Sequence, residues 1–133
     1  MNYNDLKIQF RAVPYASDAH VLEYRVDPDQ DITYEKKIKI FGLFKKTVKR
    51  KYSTNWIQPR YFMNHGTAYL YTKGDSFNWM PFFIHGQKEL DWYKAEFKTM
   101  CEFEAYKNEV TNKNIKEWEV EREEYLSRNR IMY

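Results

Sequence analysis

Residues 34–52 read YEKKIKIFGLFKKTVKRKY, and this stretch decides the fold. Apolar and charged side chains alternate on both sides of Gly42. A period of two places successive side chains on opposite faces of a strand, so the stretch predicts an antiparallel hairpin. With Gly42-Leu43-Phe44 as a three-residue loop, Ile38 faces Val48, Ile40 faces Lys46 and Tyr34 faces Tyr52. Those pairs share one side, with Lys36 and Arg50 near its rim. The other side carries Lys37, Lys39, Lys45, Lys49 and Lys51, together with Glu35 and Thr47. In this register Lys37 stands opposite Lys49. Like charges so placed destabilise a strand pair unless something anionic compensates.

The flanking sequence extends the sheet. Leu6, Ile8, Phe10 and Ala12 alternate with Lys7, Gln9 and Arg11, and Leu22, Tyr24 and Val26 alternate with Glu23 and Arg25. Both read as half-buried strands, linked through Pro14 to Asp18, with a turn at Asp27-Pro28-Asp29. Thr67–Thr72 and Phe77–Ile84 predict a further hairpin around Lys73-Gly74-Asp75, with Pro81 suited to an edge strand or a bulge. All four glycines lie between positions 42 and 86, and the last proline is Pro81. Nothing after Gly86 therefore breaks a helix. Leu90, Tyr93, Phe97 and Met100 form an apolar stripe at helical spacing. Thr99-Met-Cys-Glu102 is a capping box, so a new helix starts there. Thr111-Asn-Lys-Asn114 reads as a weak break, after which Asn114 and Glu117 cap a last helix carrying Ile115, Trp118, Tyr125 and Leu126. The expected fold class is α+β. One antiparallel sheet of five or six strands (about 5–85) packs against two or three C-terminal helices (about 87–129), in a single domain over 1–133.

Charge is unevenly spread. The formal net charge is +3, yet residues 32–60 hold nine Lys or Arg and one Glu, giving +8. Residues 1–31 sum to −3 and residues 87–133 to −2. Two anionic partners suit the lysine face: a phosphate backbone, or an acidic protein surface such as the run Glu117, Glu119, Glu121, Glu123 and Glu124. A lysine face also guards exposed strands against aggregation. Phe41, Phe44, Tyr52, Trp56, Tyr61 and Phe62 interleave with the basic stretch, a mixture that holds single strands by stacking. No RNP motif, helix-turn-helix signature or zinc finger accompanies it. In the C-terminal helix, Glu124 with Arg128 and Glu109 with Lys113 are spaced to pair.

Hydrophobic residues make up 43% of the chain and charged residues 31%, which excludes a disordered polymer. Phe, Tyr and Trp number 25, more than Ile, Leu and Val together, so the core must be built largely from rings. No apolar run approaches the roughly 18 residues of a membrane span, and MNYNDLKIQF lacks a secretory apolar region. With one cysteine, no disulfide framework is expected, and the compartment is read as reducing cytoplasm or a virion. Residues with AT-rich codons outnumber those with GC-rich codons. In composition and size the chain resembles the small proteins of tailed bacteriophages and their AT-rich hosts, which implies a virion component.

Catalytic and metal motifs are not found. Asp27-x-Asp29-x-Asp31 begins like a calcium loop, but Ile32 and Ile38 stand where an EF-hand needs Gly and Glu. His20, His65 and His85 lack metal-ligand spacing. Cys101 is expected to be a buried small hydrophobe. There is no glycine-rich phosphate loop and no G-x-S-x-G. The expectation is therefore a non-enzymatic protein without cofactor, metal or identified small-molecule substrate. It would dock on a protein partner or on itself through Trp118, Tyr125 and Tyr133 and through charge complementarity. The alternative is a nucleic-acid-binding protein using Lys37, Lys39, Lys45, Lys49 and Lys51 on phosphates. No membrane partner is expected.

Overall fold

The computed structural model describes residues 3–42, 44–63 and 78–130. The protein is α+β: antiparallel strands in small sheets, with two helices, the second long and C-terminal. After a 3-10 turn at Tyr3–Asp5 come β1 (Ile8–Pro14), β2 (His20–Val26), β3 (Thr33–Ile40) and β4 (Phe44–Lys51). They are followed by β5 (Arg60–Met63), β6 (Asn78–Pro81), β7 (Phe83–Ile84), α1 (Gln87–Glu96) and α2 (Met100–Arg130).

The strands do not form the single sheet expected. Among the described residues they form a three-stranded sheet in the order β1-β2-β7 and two separate pairs, β3-β4 and β5-β6. Two local features divide them. Pro81 ends β6 and has no N–H to continue a ladder, so the chain leaves β5 and joins β2 across Phe82. Among the described residues the lysine-rich strands β3 and β4 pair only with each other, as charged edges resist further strand addition. Strand β5 was not anticipated, because four residues, RYFM, are too short to show a period. The expected strand Thr67–Thr72 lies outside the described residues.

The body is held by rings. Phe103, on α2, is 0% exposed. Around it stand Phe10, Tyr24, Phe82, Tyr93, Phe97 and Tyr106, with centroids 4.8 to 6.3 Å away and mostly tilted or edge-on. These geometries set the positive ring edge against the negative ring face. Leu6, Leu22, Val26, Ile84, Leu90 and Met100 complete the cluster. Tyr24 donates its hydroxyl to Glu104 Oε1 at 2.9 Å. Burial, reinforced by that carboxylate, pushes the Tyr24 hydroxyl well above its ordinary pKa.

The helix joint matches its sequence signal. Glu102 Oε1 accepts from the Thr99 N–H at 3.1 Å, and the Glu102 N–H donates to Thr99 Oγ1 at 3.3 Å, closing a capping box. The joint is sewn to the start of β1: the Ile8 N–H reaches the Lys98 carbonyl and the Met100 N–H the Leu6 carbonyl.

The break expected at Thr111–Asn114 does not occur; α2 runs unbroken from Met100 to Arg130. Those polar residues have another use. Asn114 Nδ2 donates to the Phe62 carbonyl at 2.7 Å, and the Phe62 N–H donates to Thr111 Oγ1 at 3.4 Å. Side chains three apart on a helix face the same way, so they serve Phe62 as a neighbouring strand would.

Phe103→Ala is expected to cost about 3–5 kcal/mol in denaturant unfolding, the range for emptying an aromatic core position. Asn114→Ala separates the two readings of its stretch by sign. Helix propensity alone predicts a gain of roughly half a kcal/mol. The hydrogen bond to Phe62 predicts a loss of about 1–2 kcal/mol instead, which the same unfolding measurement resolves.

Candidate anion-binding ribbon

The β3-β4 pair is a ribbon tied to the body at its base. Tyr52 stacks on Tyr34 with centroids 4.4 Å apart and meets Tyr3 at 5.2 Å. The Tyr52 N–H donates to the Ile32 carbonyl at 2.9 Å, and Ile32 and Tyr52 pack against the core. Beyond that base, Ile38, Ile40 and Val48 are half-buried and lie outside the core cluster.

The register differs from expectation by two residues. Ile40 pairs with Phe44, Lys39 with Lys45, Ile38 with Lys46, Lys37 with Thr47, Lys36 with Val48, Glu35 with Lys49 and Tyr34 with Arg50. The loop is therefore centred on Gly42, which takes φ 72°, the left-handed region that glycine tolerates best. Lys37 does not face Lys49; the opposed like charges are Lys39 and Lys45. A slip of two preserves the faces, because side chains alternate with a period of two. Lys37, Lys39, Lys45, Lys49 and Lys51 therefore share one face, and all five are exposed. Lys36, Lys46 and Arg50 add three exposed cations to the other face, so it is less apolar than expected.

None of the five lysines lies within ion-pair distance of a carboxylate among the described residues, where the pairs found are Arg11–Glu23 and Glu104–Lys107. No glutamate of α2 is ion-paired to the lysine face among the described residues; its own carboxylate is Glu35, across from Lys49. At the tip, Phe41 is 93% and Phe44 is 68% exposed. Phe41 also has φ 54°, a region where a bulky side chain costs roughly 1–2 kcal/mol. A ring in water on a strained backbone is doubly unfavourable in the free protein.

Of the interleaved aromatics, the two at the tip are the ones displayed on the ribbon. Phe62 is buried, Tyr52 and Tyr61 pack against the core, and Trp56 stacks with Arg11 and Arg25. Trp118, read from the sequence as a partner-contact anchor, is 7% exposed and packs against Phe62 and Ile115, so its ring serves the inside of the chain. Tyr125 is half-buried, and Tyr133 lies outside the described residues. Arg128 Nε donates to the Glu124 main-chain carbonyl rather than pairing with its carboxylate. Cys101 is exposed, not buried: it sits one residue into α2, on the side away from the Phe103 cluster. The acidic turn is self-contained. Asp27 Oδ1 accepts the Asp29 N–H, and Asp31 Oδ1 accepts the Thr33 N–H and hydroxyl, which lowers the Asp31 pKa. His65 lies outside the described residues, and no cluster of metal-ligating side chains is found among those described.

Lys45→Glu replaces a repulsive cross-strand pair with an attractive one. It is expected to stabilise the ribbon by roughly 0.2–1 kcal/mol, read as slower hydrogen exchange at the Ile38 and Lys46 amides. The chain matches no protein-family model, no curated protein and no solved structure.

Proposed function

We propose that this chain is a non-catalytic binding or assembly protein whose docking arm is the β3-β4 ribbon. The observation that carries this reading is the face of five exposed lysines with no carboxylate within ion-pair distance among the described residues. Five cations aligned at strand spacing against the single carboxylate of Glu35 suit a surface that presents negative charge in rows. Electrostatic attraction of this kind speeds encounter and fixes orientation, and the exposed Phe41 and Phe44 rings supply apolar contact at the tip. The composition and small size suggest a structural or accessory component of a phage-like particle, acting in the virion or in a reducing cytoplasm.

A second reading is that the anionic surface is nucleic acid. What favours it is the adjacency of the exposed Phe41 and Phe44 to the Lys39–Lys45 pair. Rings beside ammonium groups hold bases and phosphates together.

One pair of measurements tests both readings. Binding to heparin and to single-stranded DNA is titrated against salt, for the native chain and for a Lys37→Glu/Lys45→Glu/Lys49→Glu variant. Five phosphate contacts give a log–log salt slope of about −3.5 for single strands. The variant is expected to lose binding while keeping its circular dichroism spectrum. Binding to heparin without DNA preference supports a protein or particle surface, and tighter DNA binding supports the second reading. A native chain that binds neither polyanion at low salt, and associates with nothing in mass measurement, overturns both.

A further inference from the structure

Strand β1 leads to a second site, which does not involve the ribbon lysines. It lies at the edge of its sheet among the described residues. In β2, the Leu22 and Tyr24 N–H groups donate to the Phe82 and Ile57 carbonyls, away from β1. The β1-β2 ladder therefore runs through odd-numbered residues, and the even-numbered residues of β1 turn their main-chain groups outward. At the start of that outer edge the chain supplies its own partner. The Ile8 N–H donates to the Lys98 carbonyl and the Met100 N–H to the Leu6 carbonyl, so Thr99 stands antiparallel to Lys7. The pairing goes no further, because the Lys98 N–H turns to Glu102 Oε1 at 3.2 Å and the chain before Phe97 is helical. The Ile8 carbonyl and the main-chain groups of Phe10 and Ala12 have no partner among the described residues.

Phe10 is only 6% exposed, and a main-chain donor and acceptor left unpaired at such a position are costly. A cleft of about 810 Å³ reaches them. It is lined by every residue from Lys7 to Arg11. Successive side chains of a strand point to opposite faces, so a cleft touching all of them runs along the edge and not over one face. Its walls agree: Phe97, of the core cluster, stands on one face, and Trp56, stacked with Arg11 and Arg25, on the other. Charge then defines the occupant. Lys7, Arg11, Lys94 and Lys98 line the cleft against the single carboxylate of Asp27. Arg11 is paired with Glu23, whereas Lys7, Lys94 and Lys98 are exposed and have no ion pair among the described residues. The carbonyls ending α1 oppose an anion, but Lys98 Nζ covers the Lys94 carbonyl at 3.1 Å.

We propose that the outer edge of β1 takes up an extended acidic segment of a partner protein as an added strand. Its main chain pairs with Phe10 and Ala12, and its carboxylates are held by Lys7, Lys94 and Lys98. Strand addition draws affinity from main-chain hydrogen bonds and selectivity from the side chains beside them. The three lysines repel strands as basic as β3 and β4, so the edge is guarded against a second copy's ribbon and open to an acidic segment. Pro14 has no N–H to donate and closes the far end, so the site runs from Ile8 to Ala12. This site adds a contact to the binding reading and stands without the ribbon.

The test is hydrogen exchange, read amide by amide on the full chain at low salt, with the acetylated and amidated peptide Glu-Val-Glu-Val-Glu-Val as probe. At saturation the Phe10 and Ala12 amides are expected to slow about tenfold or more, as amides entering a ladder do. Two versions of the peptide, N-methylated at one or the other alternate set of residues, keep the charge and each remove one set of donors. Only one set faces β1. One version is therefore expected to lose affinity about tenfold or more in calorimetric titration, and the other to keep it. Lys94→Glu/Lys98→Glu, at two exposed positions, is expected to weaken the unmethylated peptide about tenfold or more. Unchanged exchange at Phe10 and Ala12, equal binding of both methylated versions, or affinity indifferent to the lysine substitutions overturns the proposal. So does equal protection by a deoxythymidine hexamer, or protection in the free chain that rises with its own concentration. The readout is local to β1, so a peptide that binds only at the ribbon overturns this site and leaves the ribbon reading standing.

Discussion

The structure depends on the burial of one ring. Phe103 is enclosed by six aromatic side chains drawn from β1, β2, the Phe82 joint and both helices. No other residue of the described core gathers rings from so many elements. The consequence is economy. A three-stranded sheet with a two-residue third strand offers little aliphatic area, and large rings compensate by burying more area per residue. They also explain how so small a body anchors a helix of 31 residues. The first turns of α2 are fixed through Met100 and Phe103, and Thr111 and Asn114 then fasten β5 further along. Trp118, against Phe62, extends the same attachment by about another turn.

The ribbon stands outside this economy. An isolated two-stranded hairpin is marginal in water, and here its cross-strand pairs include two opposed lysines. Its hold on the body is concentrated at one end, in the Tyr3–Tyr52–Tyr34 stack. The same charges that weaken the pair also keep its open edges from recruiting other strands. Negative charge placed near the opposed Lys39 and Lys45 would offset the repulsion that weakens such an arm. That coupling follows from the sequence of residues 34–52 and does not depend on which anion is met.

Much of this was legible in the residues, and the failures have physical causes. Period-two alternation located β1 to β4, the glycine and proline distribution divided strands from helices, and Thr99-x-x-Glu102 marked the start of α2. Each is a local signal with a local cause. The Thr111–Asn114 stretch misled because threonine and asparagine hydrogen-bond readily to backbone, which reads as a helix end. Here the backbone they serve belongs to Phe62, some fifty positions away, and no window along the chain can show that. The division into three sheets was hidden for a similar reason: Pro81 was visible as a constraint, but the switch of partner at Phe82 is a tertiary fact. Trp118 was misjudged because an indole is equally suited to a core and to an interface. The stacking of Arg11 and Arg25 on Trp56 was missed because the two arginines are brought together only by the β1-β2 register.

The lysine face survived an error in the register, and the reason bears on how such sites should be read. Centring the turn on Gly42 changes every cross-strand partner but shifts the pairing by an even number of residues. Pleating sorts side chains by parity, so an even slip alters neighbours and leaves faces intact, whereas a slip of one would have scattered the five ammonium groups. A claim about the face therefore needs less than a claim about the pair. The supposed Lys37–Lys49 repulsion required the register and failed with it; Lys39 and Lys45 hold that role. The shared exposure of Lys37, Lys39, Lys45, Lys49 and Lys51 required only that both strands exist and turn tightly at Gly42. The binding hypothesis rests on the feature of the ribbon that is least sensitive to its detailed geometry.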